Sequence, residues 1–180
     1  MCGIVGFTHK HWAPDPDRIR NATATLLHRG PDQQGVFQSS LCSLGATRLK
    51  IIDLGSGDQP ILSEDGDVAI VFNGEIYNHL ELRAELEALG HRFYSHCDTE
   101  TVLRAFIEWD TDCFARLRGM FAIALWTKST KRLMLAAFND GGAAGWDLQK
   151  DLQPVVFGSE DAKEGALAFI ERRPAAWKGR

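Results

Sequence analysis

Apolar and polar positions fall into blocks along the chain, and the period of each block separates strands from helices. Ile4-Val5-Gly6-Phe7 is an apolar run of strand length directly behind the N-terminus. Asp15-Pro16 opens a helix with proline in its first turn. Ile19, Ala22, Leu26 and Leu27 recur on its apolar face, and Gly30 is the expected stop. Val36 to Ser39 and Leu41 to Leu49 read as paired strands, followed by Ile51-Ile52-Asp53 and a Gly/Ser-rich turn at residues 55–58. Val68 to Phe72 is a continuous apolar run that stops at Asn73-Gly74-Glu75. A second helix is expected from Asn78, with Glu81 as capping-box partner and Gly90 at its close. Asp98 is the expected N-cap of a third, carried by Val102, Leu103, Phe106 and Ile107. Gly119 to Thr127 and Arg132 to Phe138 predict a hairpin around Lys128-Ser129-Thr130-Lys131.

Composition narrows the classes. A chain of 180 residues suits one domain with a real core. A net charge of −4 without a basic stripe argues against nucleic acid as a partner. The longest apolar run, Met120 to Trp126, is far short of a membrane helix, and the N-terminus lacks the flank and core of a signal peptide. Cys2, Cys42, Cys97 and Cys113 make no C-x-x-C and no zinc-like spacing, and a reduced cytoplasmic setting fits; no metal and no cofactor are expected.

Cys2 is the first candidate for chemistry. Once the initiator methionine is trimmed, it carries a thiol and an α-amine on one carbon. That amine is a weak base with a pKa of about 7.7–8.0, within reach of a nucleophile by covalent geometry alone. Asn73-Gly74 offers a side-chain amide beside a flexible backbone N–H, a pair suited to an oxyanion. Arg48 can capture a carboxylate bidentately, and Glu75 and Asp98 can hold an ammonium. Each position also has an ordinary structural reading. Cys2 is then a buried cysteine, Asn73-Gly74 a turn, Arg48 a solvated strand end, and Asp98 a cap. His28-Arg29-Gly30-Pro31-Asp32 is explained as a helix end with a cationic last turn.

The order of these words carries more than any one of them. Met1-Cys2-Gly3-Ile4-Val5-Gly6, His28 to Asp32, Arg48 to Asp53, Gln59-Pro60, Asn73-Gly74-Glu75-Ile76-Tyr77-Asn78, Asp98-Thr99-Glu100 and Gly119-Met120-Phe121-Ala122 together resemble one family. It is the class II (N-terminal cysteine) glutamine amidotransferase domain, in the wording of glutamine-hydrolysing asparagine synthetase, from residue 1 to about Leu135. The resemblance implies an α+β fold, a four-layer αββα sandwich of the N-terminal-nucleophile hydrolase type. It implies hydrolysis of L-glutamine to glutamate and ammonia through a γ-glutamyl thioester on Cys2. Asn73 and Gly74 would form the oxyanion hole, and Arg48 would bind the glutamine α-carboxylate. Glu75 and Asp98 would hold the α-ammonium, with Leu49, Ile51, Ile52 and Asp53 completing the pocket. Cys97 stands where the family commonly has serine or threonine and receives no catalytic part.

Downstream the wording changes. Ala137 to Trp146 matches none of the expected continuation, and no Ser-Gly-Gly-x-Asp-Ser pyrophosphate loop of a synthetase half is present. The expected division is a truncated amidotransferase domain at residues 1–138, a junction at 139–152, and a helical tail at 153–180. The tail resembles the C-terminus of enoyl-CoA hydratase (crotonase) proteins. Two functions stay open on the sequence: an active glutaminase releasing ammonia to an acceptor or synthetase domain on a separate chain, and a non-catalytic glutamine-binding or inert fragment.

Overall fold

The computed structural model describes residues 2–9, 13–50, 55–138 and Arg173. The chain divides into two units, residues 1–139 and 140–180, and the fold described here is that of the first. Apart from Arg173, the expected junction and tail lie outside the described residues, as does the segment Ile51-Ile52-Asp53.

Asp15 accepts from the backbone N–H of Asp17 at 2.9 Å, which starts α1 (Pro16–Ala24) as the Asp-Pro pair predicts. α1 packs on the sheet of β1 (Gly3–Thr8), β2 (Gln33–Gln38) and β3 (Cys42–Arg48), ordered β1-β3-β2 and antiparallel throughout. The second sheet is also antiparallel, ordered β4 (Ile61–Leu62), β5 (Val68–Ile76), β6 (Gly119–Thr127), β7 (Arg132–Phe138). α2 (His79–Ala88) and α3 (Asp98–Trp109), followed by a 3-10 helix at Asp110–Arg116, cover its far face. The result is the expected four-layer αββα sandwich.

Strand alternation builds two cores. Val68, Ile70 and Phe72 of β5 pack with Leu82, Leu86 and Leu103 of the helices. Ala69 and Val71 of the same strand face the other way, onto Leu44 and Ala46 of β3 between the sheets. The predicted hairpin appears at β6 and β7 with its bounds unchanged.

Four local expectations are corrected. α1 closes at Ala24 rather than at Gly30, and the turns over residues 25–29 bring Arg29 to the N-terminus. The strand does not stop with the apolar run at Phe72, since β5 continues through Ile76. Asn78 is the N-cap of α2, as expected, but its side chain makes no capping hydrogen bond. Its side chain accepts from Arg118 N at 2.9 Å and donates to Arg116 O at 3.0 Å, tying α2 to the segment before β6. The N-cap of α3 is Cys97, and Asp98 is the first helical residue, with its carboxylate turned to β5.

Candidate active site

Alternation also decides which side chains meet between the sheets. Gly3 faces α1, where an added Cβ would stand 2.8 Å from Thr47 Oγ1 and 3.0 Å from Leu26 Cβ. Ile4 therefore faces the inter-sheet core, and Cys2 lies on the same side of β1. Gly3 is opposite Thr47 at the end of the β1–β3 ladder, with Cys2 just before the one strand and Arg48 at the end of the other. Arg48 follows Cys42, Leu44 and Ala46 on the inner face of β3, and Asn73 and Glu75 follow Ala69 and Val71 on the inner face of β5.

Gln59 stitches the two surfaces at that end. Its amide oxygen accepts from Phe72 N at 2.7 Å. Its own carbonyl accepts from Gln33 Nε2 at 2.7 Å, and Gln33 stands opposite Arg48 in the ladder. Arg48, Asn73 and Glu75 thus occupy inward-facing positions of the two sheets, with Cys2 directly before β1.

Arg29 Nε donates to the carbonyl oxygen of Cys2 at 3.0 Å, 27 residues away in sequence. Arg29 belongs to the turn explained above as a mere helix end. Asp32 completes that turn's fit, donating its N–H to Arg48 O at 3.1 Å and accepting Lys50 N at 2.8 Å. Nothing in local spacing signals the link, which spans 27 residues.

Asn73 and Gly74 are not a turn. They pair with Ala122 and Phe121 inside the β5–β6 ladder, and Asn73 is half-buried. Gly74 has φ +154°, and a Cβ there would meet the carbonyl oxygen of Met120 and stand 2.6 Å from Phe121 Cα. Only glycine allows β6 this close.

Arg48 is 5% exposed. Its Nη1 donates to Ser56 O at 2.8 Å and to Asp58 Oδ1 at 3.1 Å. Gly57, at φ +77°, fits between this guanidinium and α3: a Cβ there would lie 3.2 Å from Arg48 Nη2 and 3.0 Å from Cys97 Sγ.

Asp98 Oδ2 accepts from Ile76 N at 3.0 Å, one residue beyond Glu75. Burial raises the Asp98 carboxyl above its ordinary range, against the backbone bonds and the nearby His79 that favour its charge. Glu75 is also raised, first by burial and then by the Asp98 charge. Two such carboxylates are uncomfortable alone and suited to an incoming cation. Leu49 is half-buried just beyond β3, while Ile51, Ile52 and Asp53 lie outside the described residues.

The other cysteines are placed for packing. Burial pushes the Cys42 thiol to about 11 and Cys113 to about 12, and raises Cys97 as well. Cys2 is half-exposed. A separate cleft of about 500 Å³, lined by Glu64, Asp67, Arg104 and Arg132 among others, contains none of the candidate residues.

An αββα sandwich of paired antiparallel sheets is the architecture of the N-terminal-nucleophile class of fold. Glutamine phosphoribosylpyrophosphate amidotransferase from B. subtilis, solved with ADP and GMP, shares it with a TM-score of 0.58 at 19% identity, over 71% of this chain and 35% of that one. The family model for the glutamine amidotransferase domain matches residues 1–161, and the chain belongs to that family. "Asparagine synthetase [glutamine-hydrolyzing] 1" of Bacillus subtilis is 42% identical over 133 residues, covering 72% of this chain and 21% of the relative. "Asparagine synthetase [glutamine-hydrolyzing] 3" of the same organism is 37% identical over 164 residues, covering 89% and 26%. A "Probable asparagine synthetase [glutamine-hydrolyzing]" of Dictyostelium discoideum is 37% identical over 141 residues, covering 76% and 25%. The chain spans about a quarter or less of these relatives. Among the described residues, no helix is long and apolar enough to cross a membrane.

Proposed function

We propose that this chain hydrolyses L-glutamine to glutamate and ammonia, with Cys2 as nucleophile. What supports this reading is the bond from Arg29 to the Cys2 backbone, beside strand alternation that turns Arg48, Asn73 and Glu75 toward the space between the sheets.

The substrate is a zwitterion with a neutral amide at its far end, and the site divides accordingly. Arg48 takes the α-carboxylate; Glu75 and Asp98 take the α-ammonium, which relieves their mutual repulsion. Leu49 borders the substrate, and the sequence resemblance extends the pocket to Ile51, Ile52 and Asp53. This fixes the side-chain amide toward Cys2. The freed α-amine of Cys2 accepts the thiol proton, directly or through a water, as sulfur bonds to the amide carbon. The Asn73 side-chain amide and the Gly74 N–H stabilise the resulting oxyanion. The amine then returns the proton to the leaving nitrogen, the C–N bond breaks, and ammonia departs from a γ-glutamyl thioester. Water adds to the thioester carbon, the C–S bond breaks, and glutamate and the thiol are restored.

The relatives' names add a destination for the ammonia. As this chain matches only a quarter or less of them, we assign the acceptor step to a synthetase domain outside the matched region or on a separate chain. A cytoplasmic, reducing location suits a catalytic thiol. The test is direct: purified chain, freed of Met1, is assayed for equal yields of glutamate and ammonia from glutamine. Glutamine should also raise its melting temperature by mass action. No product and no thermal shift would refute the reading.

A further inference from the structure

Arg48 is the cation assigned to the substrate's α-carboxylate, yet its side chain is only 7% exposed and a carboxylate already sits on it. Asp58 Oδ1 is 3.1 Å from Arg48 Nη1 and 2.8 Å from Lys50 Nζ, and the Asp58 side chain is 52% exposed. Among the described residues, a half-solvated carboxylate is thus one of the partners of this buried guanidinium. The loop carrying that partner has glycine on both sides of Ser56. A Cβ at Gly55 would meet nothing within 4 Å, and Gly57 has a positive φ. A buried charge without a counter-ion is expensive, so Arg48 needs an anion when substrate is absent. A second carboxylate cannot take the Nη1 position while Asp58 holds it.

We propose that Asp58 is a placeholder: its carboxylate neutralises Arg48 in the free protein and is displaced by the α-carboxylate of glutamine. This rests on the assignment of Arg48 given above. The exchange swaps one carboxylate for another on Nη1, while Lys50 keeps hold of the displaced Asp58 at the solvent edge. Affinity is then a difference between two carboxylates, so amino acids with a free α-carboxylate compete for the site and their amides do not. Asp58 acts as a specificity-determining residue without touching the reacting atoms.

The test measures Kd for L-glutamine and for L-glutaminamide, which lacks the α-carboxylate, by calorimetry. The full chain is used with Cys2→Ala to prevent turnover. Asp58→Asn and Asp58→Ala should each bind glutamine roughly two- to fivefold more tightly, in line with loss of one half-exposed competing ion pair. Binding of glutaminamide should not change, and with Cys2 intact both variants should lower KM at constant kcat. Weaker or unchanged glutamine binding in both variants, alongside weakened binding in Arg48→Gln, would make Asp58 a brace and overturn the proposal while sparing the site assignment. Failure of both variants to fold would also make it a brace. Equal tightening of glutamine and glutaminamide would reduce the effect to net charge and overturn it too. Binding indifferent to Arg48→Gln would remove the site assignment and this proposal together.

Discussion

Arg29 Nε lies 3.0 Å from the carbonyl oxygen of Cys2 and joins the turn after α1 to the residue proposed as nucleophile. A terminus held by a single strand frays, so this bond fixes where the thiol and amine point. Arg29→Met keeps the apolar stem and removes the donor. Its kcat for glutamine hydrolysis should fall on the order of 10²-fold, the usual result of misplacing a reacting group by about 1 Å. Glutamine binding, which uses Arg48 and the carboxylates, should remain near wild type. Steady-state kinetics with calorimetry checks both, and a parallel loss of binding would point to disruption of the whole site.

The four cysteines should separate cleanly. Cys2→Ala should abolish ammonia release and leave the glutamine-induced thermal shift in place. Cys97→Ser should retain hydrolysis, since its thiol is buried beside Ser95 Oγ at 3.0 Å and burial holds it protonated. An intact-mass measurement belongs with this comparison. A protein that keeps Met1 and still hydrolyses glutamine at full rate would rule out the terminal amine as base.

Asn73 and Arg48 should fail differently. Loss of one preorganised oxyanion donor costs about 10²–10³ in kcat, so Asn73→Ala should lower kcat with a smaller change in KM. Arg48→Gln should chiefly raise KM. Equal losses in both parameters for both variants would indicate misfolding at the site rather than separate roles.

Local signals located most elements, and contacts distant in sequence account for the misses. The β6–β7 hairpin was legible because alternation, a polar tip and strand length all lie within 20 residues. The start of α1 was legible because Asp15-Pro16 caps it in place. Its end was not: Leu26 and Leu27 continue the helical spacing, but the chain turns so that Arg29 meets Cys2. Asn73-Gly74 carries a strong turn signal, overridden by a ladder to Ala122 and Phe121 nearly fifty residues on. Cys2, Arg48, Asn73, Glu75 and Asp98 could be named from family words, yet the inward facing of Arg48, Asn73 and Glu75 depends on alternation in two sheets, and the placing of Asp98 on its bond to Ile76 N. Arg29 and Gln59 were present in the same words, but their roles lie in single long-range bonds.

The carboxylate pair predicts a pH dependence. Glu75 and Asp98 ordinarily titrate at 4.5 and 3.8, and both are raised in the folded protein. Above those ordinary values the folded state holds more protons than the unfolded chain, so stability falls as pH rises through the raised values. Their contribution is fully present below the ordinary values and lost as pH rises through the raised ones. Asp98→Asn keeps an oxygen that can accept from Ile76 N and removes the charge. It should raise the melting temperature at pH 7, flatten the fall in stability above about pH 4, and weaken glutamine binding. Thermal scans from pH 4 to 8 with and without glutamine test all three. A lower melting temperature at pH 7 would mean that the charged form is the stabilising one.

Gly74 joins the fold to the proposed chemistry and gives the sharpest structural test. A Cβ at this position would run into the carbonyl oxygen of Met120 and stand 2.6 Å from Phe121 Cα, both backbone atoms of the paired strand. A side chain could rotate aside, but β6 cannot move without breaking its ladders to β5 and β7. The φ of +154° adds backbone strain for any L-residue with a side chain. Strain of about 1–3 kcal/mol and overpacking of about 1–3 kcal/mol place the cost of Gly74→Ala on the order of 2–6 kcal/mol. That corresponds to a drop in melting temperature of roughly 5–20 °C for a chain of this size. Whatever folds should also hydrolyse glutamine slowly, because Asn73 and the Gly74 N–H shift together. Gly55→Ala is the matched control: its Cβ would meet nothing within 4 Å, so it should melt like wild type. If the two variants melt alike, β5 and β6 do not approach at Gly74 as closely as described, and the oxyanion assignment loses its geometric basis.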